Sequence, residues 1–169
     1  WTAFRPRSWT CSTNATTSGA VSLGTVEGDL LVGPGGDPNV VIDGITINSR
    51  IRENRDGIDI DSCDGVAISN CHIYSGDDAI VLKATAMRPC RRVTISNCII
   101  SSMASALKLG TESNGGFEDV TINNCTIYDT GYSGIGLMTV DGGTLDRVNI
   151  SNITMTNVKV PIFIRLGNR

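Results

Sequence analysis

Two acidic stretches concentrate the residues best able to do chemistry. "NRDGIDIDSC" covers residues 54–63 and "SGDDAIVLK" covers 75–83. Together they hold Asp56, Asp59, Asp61, Asp77 and Asp78, and the second ends in Lys83. Carboxylates crowded into one spot repel each other, and at least one is expected to hold its proton more tightly than usual. One protonated carboxyl beside ionised ones is what hydrolysis of a glycosidic bond requires. The acid protonates the leaving oxygen, and an ionised partner activates water. Two plainer readings fit the same residues. Asp56 and Asp78, with Gly57 and Gly76 close by, could simply initiate turns. A carboxylate cluster also suits calcium.

Something must bring residues 20 or more apart into one cluster, and an internal repeat supplies it. "VAISNCHI" (66–73), "VTISNCII" (93–100), "VTINNCTI" (120–127) and "VNISNITM" (148–155) align, preceded by the looser "VVIDGITI" (40–47). Their first valines are Val40, Val66, Val93, Val120 and Val148, so the steps are 26, 27, 27 and 28 residues. Each segment alternates apolar and polar residues, the period of a half-buried strand. A second set of short strands lies between: "DGIDI", "DAIVLK", "SALKLGT", "SGIGLMT" and "PIFIRLG". No window carries a helical period. The fold expected is all-β: a single-stranded right-handed parallel β-helix of about five coils over residues 38–169. Residues 1–37, with the Ser/Thr-rich "TCSTNATTSG" and the loop "GPGGDPN", are expected to form an irregular entry segment or incomplete first coils. Strand edges left uncapped, and the absence of Met at position 1, point to a piece of a longer chain.

Coils stacked at about 4.8 Å turn the repeat into columns. Asn70, Asn97, Asn124 and Asn152 are expected to form a ladder of buried amides at a bend. Cys71, Cys98 and Cys125 should form a buried thiol ladder completed by Ile153, and Cys63 and Cys90 come within reach of a disulfide. Aligning Ile58 and Ile60 with Ile80 and Leu82, Leu107 and Leu109, then Ile135 and Leu137 puts Asp56, Asp78, Ser105 and Ser133 in one column. Outward columns then hold Asp59, Val81, Lys108 and Gly136, and Asp61, Lys83, Gly110 and Met138. A water between Asp56 and Asp78, with the glycosidic oxygen toward the offset Asp77, fits the carboxyl separation of roughly 6.5–9.5 Å seen in inverting glycosidases.

Composition narrows the partners. A net charge of −3 and a pI near 5.0 provide no basic footprint for nucleic acid. The longest apolar runs are too short to span a bilayer, and the opening "WTAFRPRSWT" is not a signal peptide. The six cysteines lack a Cys-x-x-Cys pair and the only histidine is His72, so no zinc site is expected. His72 lies on the other strand set, away from the aspartates, and reads as a surface residue. The reading calls for no metal and no cofactor, and for a monomer.

The combination of "NRDGIDIDSC", "SGDDAIVLK" and the "ISNC" repeats resembles glycoside hydrolase family 28, the polygalacturonase family, over about residues 38–169. The resemblance implies a right-handed β-helix outside the cell, extracellular or periplasmic, that hydrolyses pectic polysaccharides with inversion. The family's Asn-Thr-Asp motif falls on Asn54, Arg55 and Asp56, and its Asp-Asp pair on Asp77 and Asp78. Asp77 would be the general acid, and Asp56 with Asp78 would position and deprotonate the water. The Gly-His-Gly motif falls on Ala104, Ser105 and Ala106. The Arg-Ile-Lys motif, whose cations hold the galacturonate carboxylate, falls on Gly136, Leu137 and Met138. Asn54, Asp59, Lys83, Lys108 and Arg165 are the candidate substrate-binding residues, Lys108 being equally placed to pair with Asp59. "ALKLGTESNGGF" and "PIFIRLGNR" look like a bacterial branch with less uniform substrates. A carbohydrate-binding helix with an idle acidic cluster, and a polysaccharide lyase on the same fold, are the competing functions.

Overall fold

A computed structural model describes residues 9–11, 19–26, 30–33, 39–50 and 55–167. All regular structure in it is strand, and the chain coils into a parallel β-solenoid of about five turns. One ladder runs through β1 (Trp9–Cys11), β3 (Leu30–Val32), β5 (Ile58–Asp61), β8 (Ile80–Ala84) and β11 (Leu107–Ser113). It continues into the C-terminal halves of β12 (Phe117–Thr139) and β13 (Leu145–Leu166). The second ladder runs through β2 (Gly19–Val26) and β4 (Val40–Asn48), then β6 (Asp64–Ser69) with β7 (His72–Ser75). It goes on through β9 (Cys90–Ser96) with β10 (Ile99–Ser102) to the N-terminal halves of β12 and β13.

The register agrees with the repeat. Val40, Val66, Val93, Val120 and Val148 pair in succession. So do Ile58, Ile80, Leu107, Ile135 and Ile162. Between the ladders lies one core, with Ile42, Ile47, Ile60, Ile68, Ile73, Leu82 and Ile95 fully buried. Each such side chain contributes roughly 1.5–3 kcal/mol, well above the roughly 0.2–1 kcal/mol of a cross-strand pair, so inward stacking holds the coils together. Ile162 and Ile164 continue the inward columns but are exposed, because no described coil stacks on β13.

The asparagine ladder forms, but it is not buried. Asn70, Asn97, Asn124 and Asn152 are all exposed and all left-handed, with φ of 55°, 56°, 52° and 54°. Gly44, φ 65°, takes the corresponding place one coil earlier. Each marks a corner where a strand turns onto the next face. A left-handed residue throws its side chain outward, and asparagine tolerates that conformation better than other residues with a Cβ. The amides still link the coils: Asn97 Nδ2 donates to Asn70 Oδ1 at 3.3 Å and Asn124 Nδ2 to Asn97 Oδ1 at 2.9 Å. Asn152 departs from the column and donates to Asn123 Oδ1 at 3.0 Å.

Cys71, Cys98 and Cys125 are buried on successive coils, with Ile153 paired to Cys125 in the fourth place. Cys63 and Cys90 are separate thiols. The Cys63 Sγ faces the carbonyl oxygens of Val32 and Asp61 at 3.3 and 3.2 Å, and burial pushes the Cys90 thiol up to about 12. His72 is exposed on β7, on the ladder away from the aspartates.

Candidate active site

Asp56 lies just before β5, while Asp77 and Asp78 lie on the bend between β7 and β8. Adjacent residues of a strand point to opposite faces, so Asp77 and Asp78 should diverge. A slip in the backbone ladder brings them together. The Asp77 amide donates to the Arg55 carbonyl at 2.8 Å, while the Gly57 amide donates to the Asp78 carbonyl at 2.9 Å. The first bond sets Asp77 opposite Asp56; the second sets Asp78 opposite Asp56. Two residues of one coil therefore face one residue of the next, which is a β-bulge, a device that re-aims side chains. Gly57 permits the approach: a Cβ there would lie 2.4 Å from the Ala79 carbonyl oxygen. One carboxylate oxygen from each of Asp56, Asp77 and Asp78 lies within 4.8 Å of the others.

The bend is fastened independently of the carboxylates. Buried Ser75 and Ser102, paired on adjacent coils, each donate a hydroxyl to the Asp77 carbonyl oxygen at 2.6 Å. The Asp78 carboxylate reaches across to the next coil, where Oδ1 accepts the Ser105 amide at 3.1 Å. These side chains do more than start a turn.

Charge is distributed unevenly over the three. Asp56 Oδ2 accepts from Lys83 Nζ at 3.0 Å, and Lys83 also contacts Asp59. Asp78 Oδ2 accepts from Lys108 Nζ at 2.6 Å. Lys108 therefore pairs with Asp78 and not with Asp59; Val81 separates it from Asp59 in their shared column. Asp61, directly opposite Lys83, is already engaged with Ser62 Oγ at 2.8 Å, Thr85 N at 3.0 Å and Thr85 Oγ1 at 2.6 Å. Lys83 turns to Asp56 and Asp59 instead. Val81 stands on the outward face, outside the core cluster, yet is fully buried.

Among the described residues, Asp77 has no lysine ion pair. Burial, then the Asp78 and Asp56 charges, raise its pKa above the ordinary aspartate value. Burial also dominates at Asp59, outweighing Lys83 and reinforced by Asp56, and pushes it up to about 7. Burial works against the Lys83 charge, but Asp59 and Asp56 outweigh it and hold its pKa above the ordinary lysine value.

Asp59, Lys83 and Lys108 are thus built into the carboxylate cluster. Arg165 is exposed and pairs in register with Met138. Asn54 lies outside the described residues. One oxygen of each carboxylate comes closer to the others than the roughly 6.5–9.5 Å that separates the acid and base of an inverting glycosidase, and the lysines at two of them offset the repulsion. Ser75, Ser102 and the bulge were missed by sequence reasoning. Ser75 and Ser102 stand 27 residues apart, the step of the repeat, and that spacing was the available signal.

Residues 35–167 match the family described as Glycosyl hydrolases family 28. The chain belongs to that family. Family membership agrees with the acidic centre at the head of β5 and β8. The chain is also similar to a probable polygalacturonase from Vitis vinifera, 47% identical over 47 residues. That stretch is 27% of this chain and 10% of the grapevine protein, so the chain matches about a tenth of its curated relative. No solved structure matches the chain significantly.

Proposed function

We propose that this chain carries the hydrolytic centre of a pectin-directed glycosidase acting outside the cell, in the extracellular space or periplasm, as a monomer. The observation that supports it best is the unequal treatment of three convergent carboxylates: Asp56 and Asp78 each hold a lysine, and Asp77 holds none and has a raised pKa. Asp77 protonates the glycosidic oxygen as the bond to the anomeric carbon breaks. Asp56 and Asp78 hold a water and accept its proton as its oxygen bonds to that carbon. The product is a new reducing end. Inversion follows from the family resemblance and not from the carboxylate spacing. Lys83 and Lys108 position the base pair of carboxylates.

The same lysines weigh against the competing chemistries. They supply the positive charge that calcium would bring. They are also tied to carboxylates, which leaves them poorly placed as the base of a lyase. Gly136 and Met138, where the resemblance puts two cations, favour a methyl-esterified, deoxy-sugar or otherwise less acidic pectic polymer over polygalacturonic acid. The replacement of the family's histidine motif by Ala104, Ser105 and Ala106 favours a second reading, a helix that binds such polymers without cleaving them.

The test is to incubate the full-length protein with pectic fractions, following reducing ends, ultraviolet-absorbing unsaturated ends and the anomer first released. New reducing ends in the inverted anomer, with little action on polygalacturonic acid, are expected. Unsaturated ends would establish a lyase, and retention on pectin without any new ends would establish the binder.

A further inference from the structure

The bulge that converges Asp77 and Asp78 occurs again two coils away. The Tyr132 amide donates to the Ala104 carbonyl at 2.9 Å, and the Ala106 amide donates to the Ser133 carbonyl at 2.8 Å. Tyr132 and Ser133 therefore both oppose Ser105, as Asp77 and Asp78 both oppose Asp56. Ser133 lies in the Asp78 column, and Tyr132 takes the place of Asp77. Gly131 allows the chain in, since a Cβ there would meet the Met103 carbonyl oxygen at 2.1 Å. Tyr132 is 41% exposed. It meets Phe163, with ring centroids 5.5 Å apart and planes tilted by 54°. Phe163 pairs with Gly136, in the outward column that also holds Lys108, Val81 and Asp59.

Tyr132 thus stands on the same face as the carboxylates, with Phe163 one coil beyond it and Tyr132 itself two coils from Asp77 along the solenoid axis. At strand spacing that is roughly 9–10 Å, a distance that two linked pyranose rings span. Between carboxylates and rings, Lys108 is spent on Asp78 and Gly136 offers no side chain.

We propose that Tyr132 and Phe163 form a stacking platform for the sugar held about two units from the bond that breaks, and that this subsite grips the apolar face of the ring without reading its charge. The proposal rests on the hydrolase reading above and deepens it: chain length and ring shape, rather than carboxylate charge, set the affinity at this end of the cleft. Tyrosine and phenylalanine provide broad rigid faces at little entropic cost, and the exposed tyrosine hydroxyl can stay wet.

The test uses the full-length protein carrying Asp77→Asn, so that ligands are bound and not cut. Titration calorimetry with galacturonic acid hexamers, as the free acid and as the full methyl ester, reads the platform directly. Tyr132→Ala and Phe163→Ala are each expected to weaken both hexamers about tenfold, Tyr132→Phe to restore binding, and Lys159→Ala to change little. Raising the salt should leave the tyrosine effect intact. Full affinity in Tyr132→Ala would overturn the platform while leaving the hydrolase reading in place. So would a loss limited to the free acid and reproduced by Arg165→Ala or Lys159→Ala. Failure of both hexamers to bind the Asp77→Asn parent would overturn the pectic reading and the platform with it.

Discussion

Among the described residues, Asp77 differs from Asp56 and Asp78 in forming no ion pair with a lysine. Burial and two neighbouring aspartates raise its pKa, and the hydroxyls of Ser75 and Ser102 fix its backbone without using its carboxyl. Replacing Asp77 by Asn in the full-length protein is therefore expected to cut turnover on the natural polymer at least about 100-fold, with a smaller loss on a substrate whose leaving group needs no proton. Asp56→Asn and Asp78→Asn should harm both substrates alike, since water must still be activated. Comparing kcat for the two substrates checks the assignment, and near-normal turnover of the polymer by Asp77→Asn would sink it. Asp59 makes a different prediction. Its pKa rises on folding from the ordinary 3.8 to about 7. Between those values the folded state binds more protons than the unfolded state, so stability is greatest at the acid end and declines as pH rises toward 7. Asp59→Asn removes that proton uptake. Urea midpoints should fall less between pH 4.5 and 7.5 in the variant than in the parent; identical falls would show that Asp59 does not titrate in this window.

At the scale of the element, the corners repay attention as much as the strands. A left-handed residue recurs at one corner as Gly44, Asn70, Asn97, Asn124 and Asn152, and at another as Gly65, Arg92, Asp119 and Arg147. The second column carries alternating charge, and Arg147 Nη2 bonds to Asp119 at 3.0 Å. Asn97 is exposed, so what it contributes is backbone tolerance plus two amide links, not relief of a buried polar group. Asn97→Leu is expected to cost roughly 1–2 kcal/mol, the strain of a left-handed residue with a bulky Cβ substituent. Asn97→Gly relieves that strain and should cost less, although it loses the same amide links. His72→Leu, on an open strand face, should be nearly neutral. Chemical denaturation of the three variants decides the matter: if Asn97→Gly is as damaging as Asn97→Leu, the side-chain ladder outweighs the corner geometry.

For the whole molecule, the solenoid is a ruler. Each coil advances the outer face by one strand spacing, and the same bulge places a carboxylate at one mark and an aromatic ring two marks further on. On the reading proposed above, a linear polymer lying along that face would meet Asp56, then Asp77 with Asp78, then Tyr132. The apolar columns below remain continuous throughout, so outward residues can change without disturbing the core. This separation of support from chemistry lets Gly136 and Met138 stand where the resemblance puts cations, on a fold whose register is unaltered.

The parallel β-solenoid was legible in the chain because its cause is periodic. A step of 26–28 residues, with valine, asparagine and cysteine in phase, can be satisfied only by coils in register. The column shared by Asp56 and Asp78 followed from counting along those strands. Asp77 was expected in the same cluster, offset beside them, but the bulge that sets it opposite Asp56 was not legible, because it breaks the period-2 rule on which such counting depends and nothing local in "SGDDAIVLK" signals the slip. The partners of the lysines were equally hidden: Lys83 faces Asp61 by register but pairs with Asp56 and Asp59, since Asp61 is already occupied by Ser62 and Thr85. Exposure of the asparagine ladder was settled by φ, which a residue type favours but does not impose. Periodic sequence determines which residues are neighbours along the axis. Only the folded backbone decides where their side chains point, because that depends on single dihedral angles and on competition among several partners within reach.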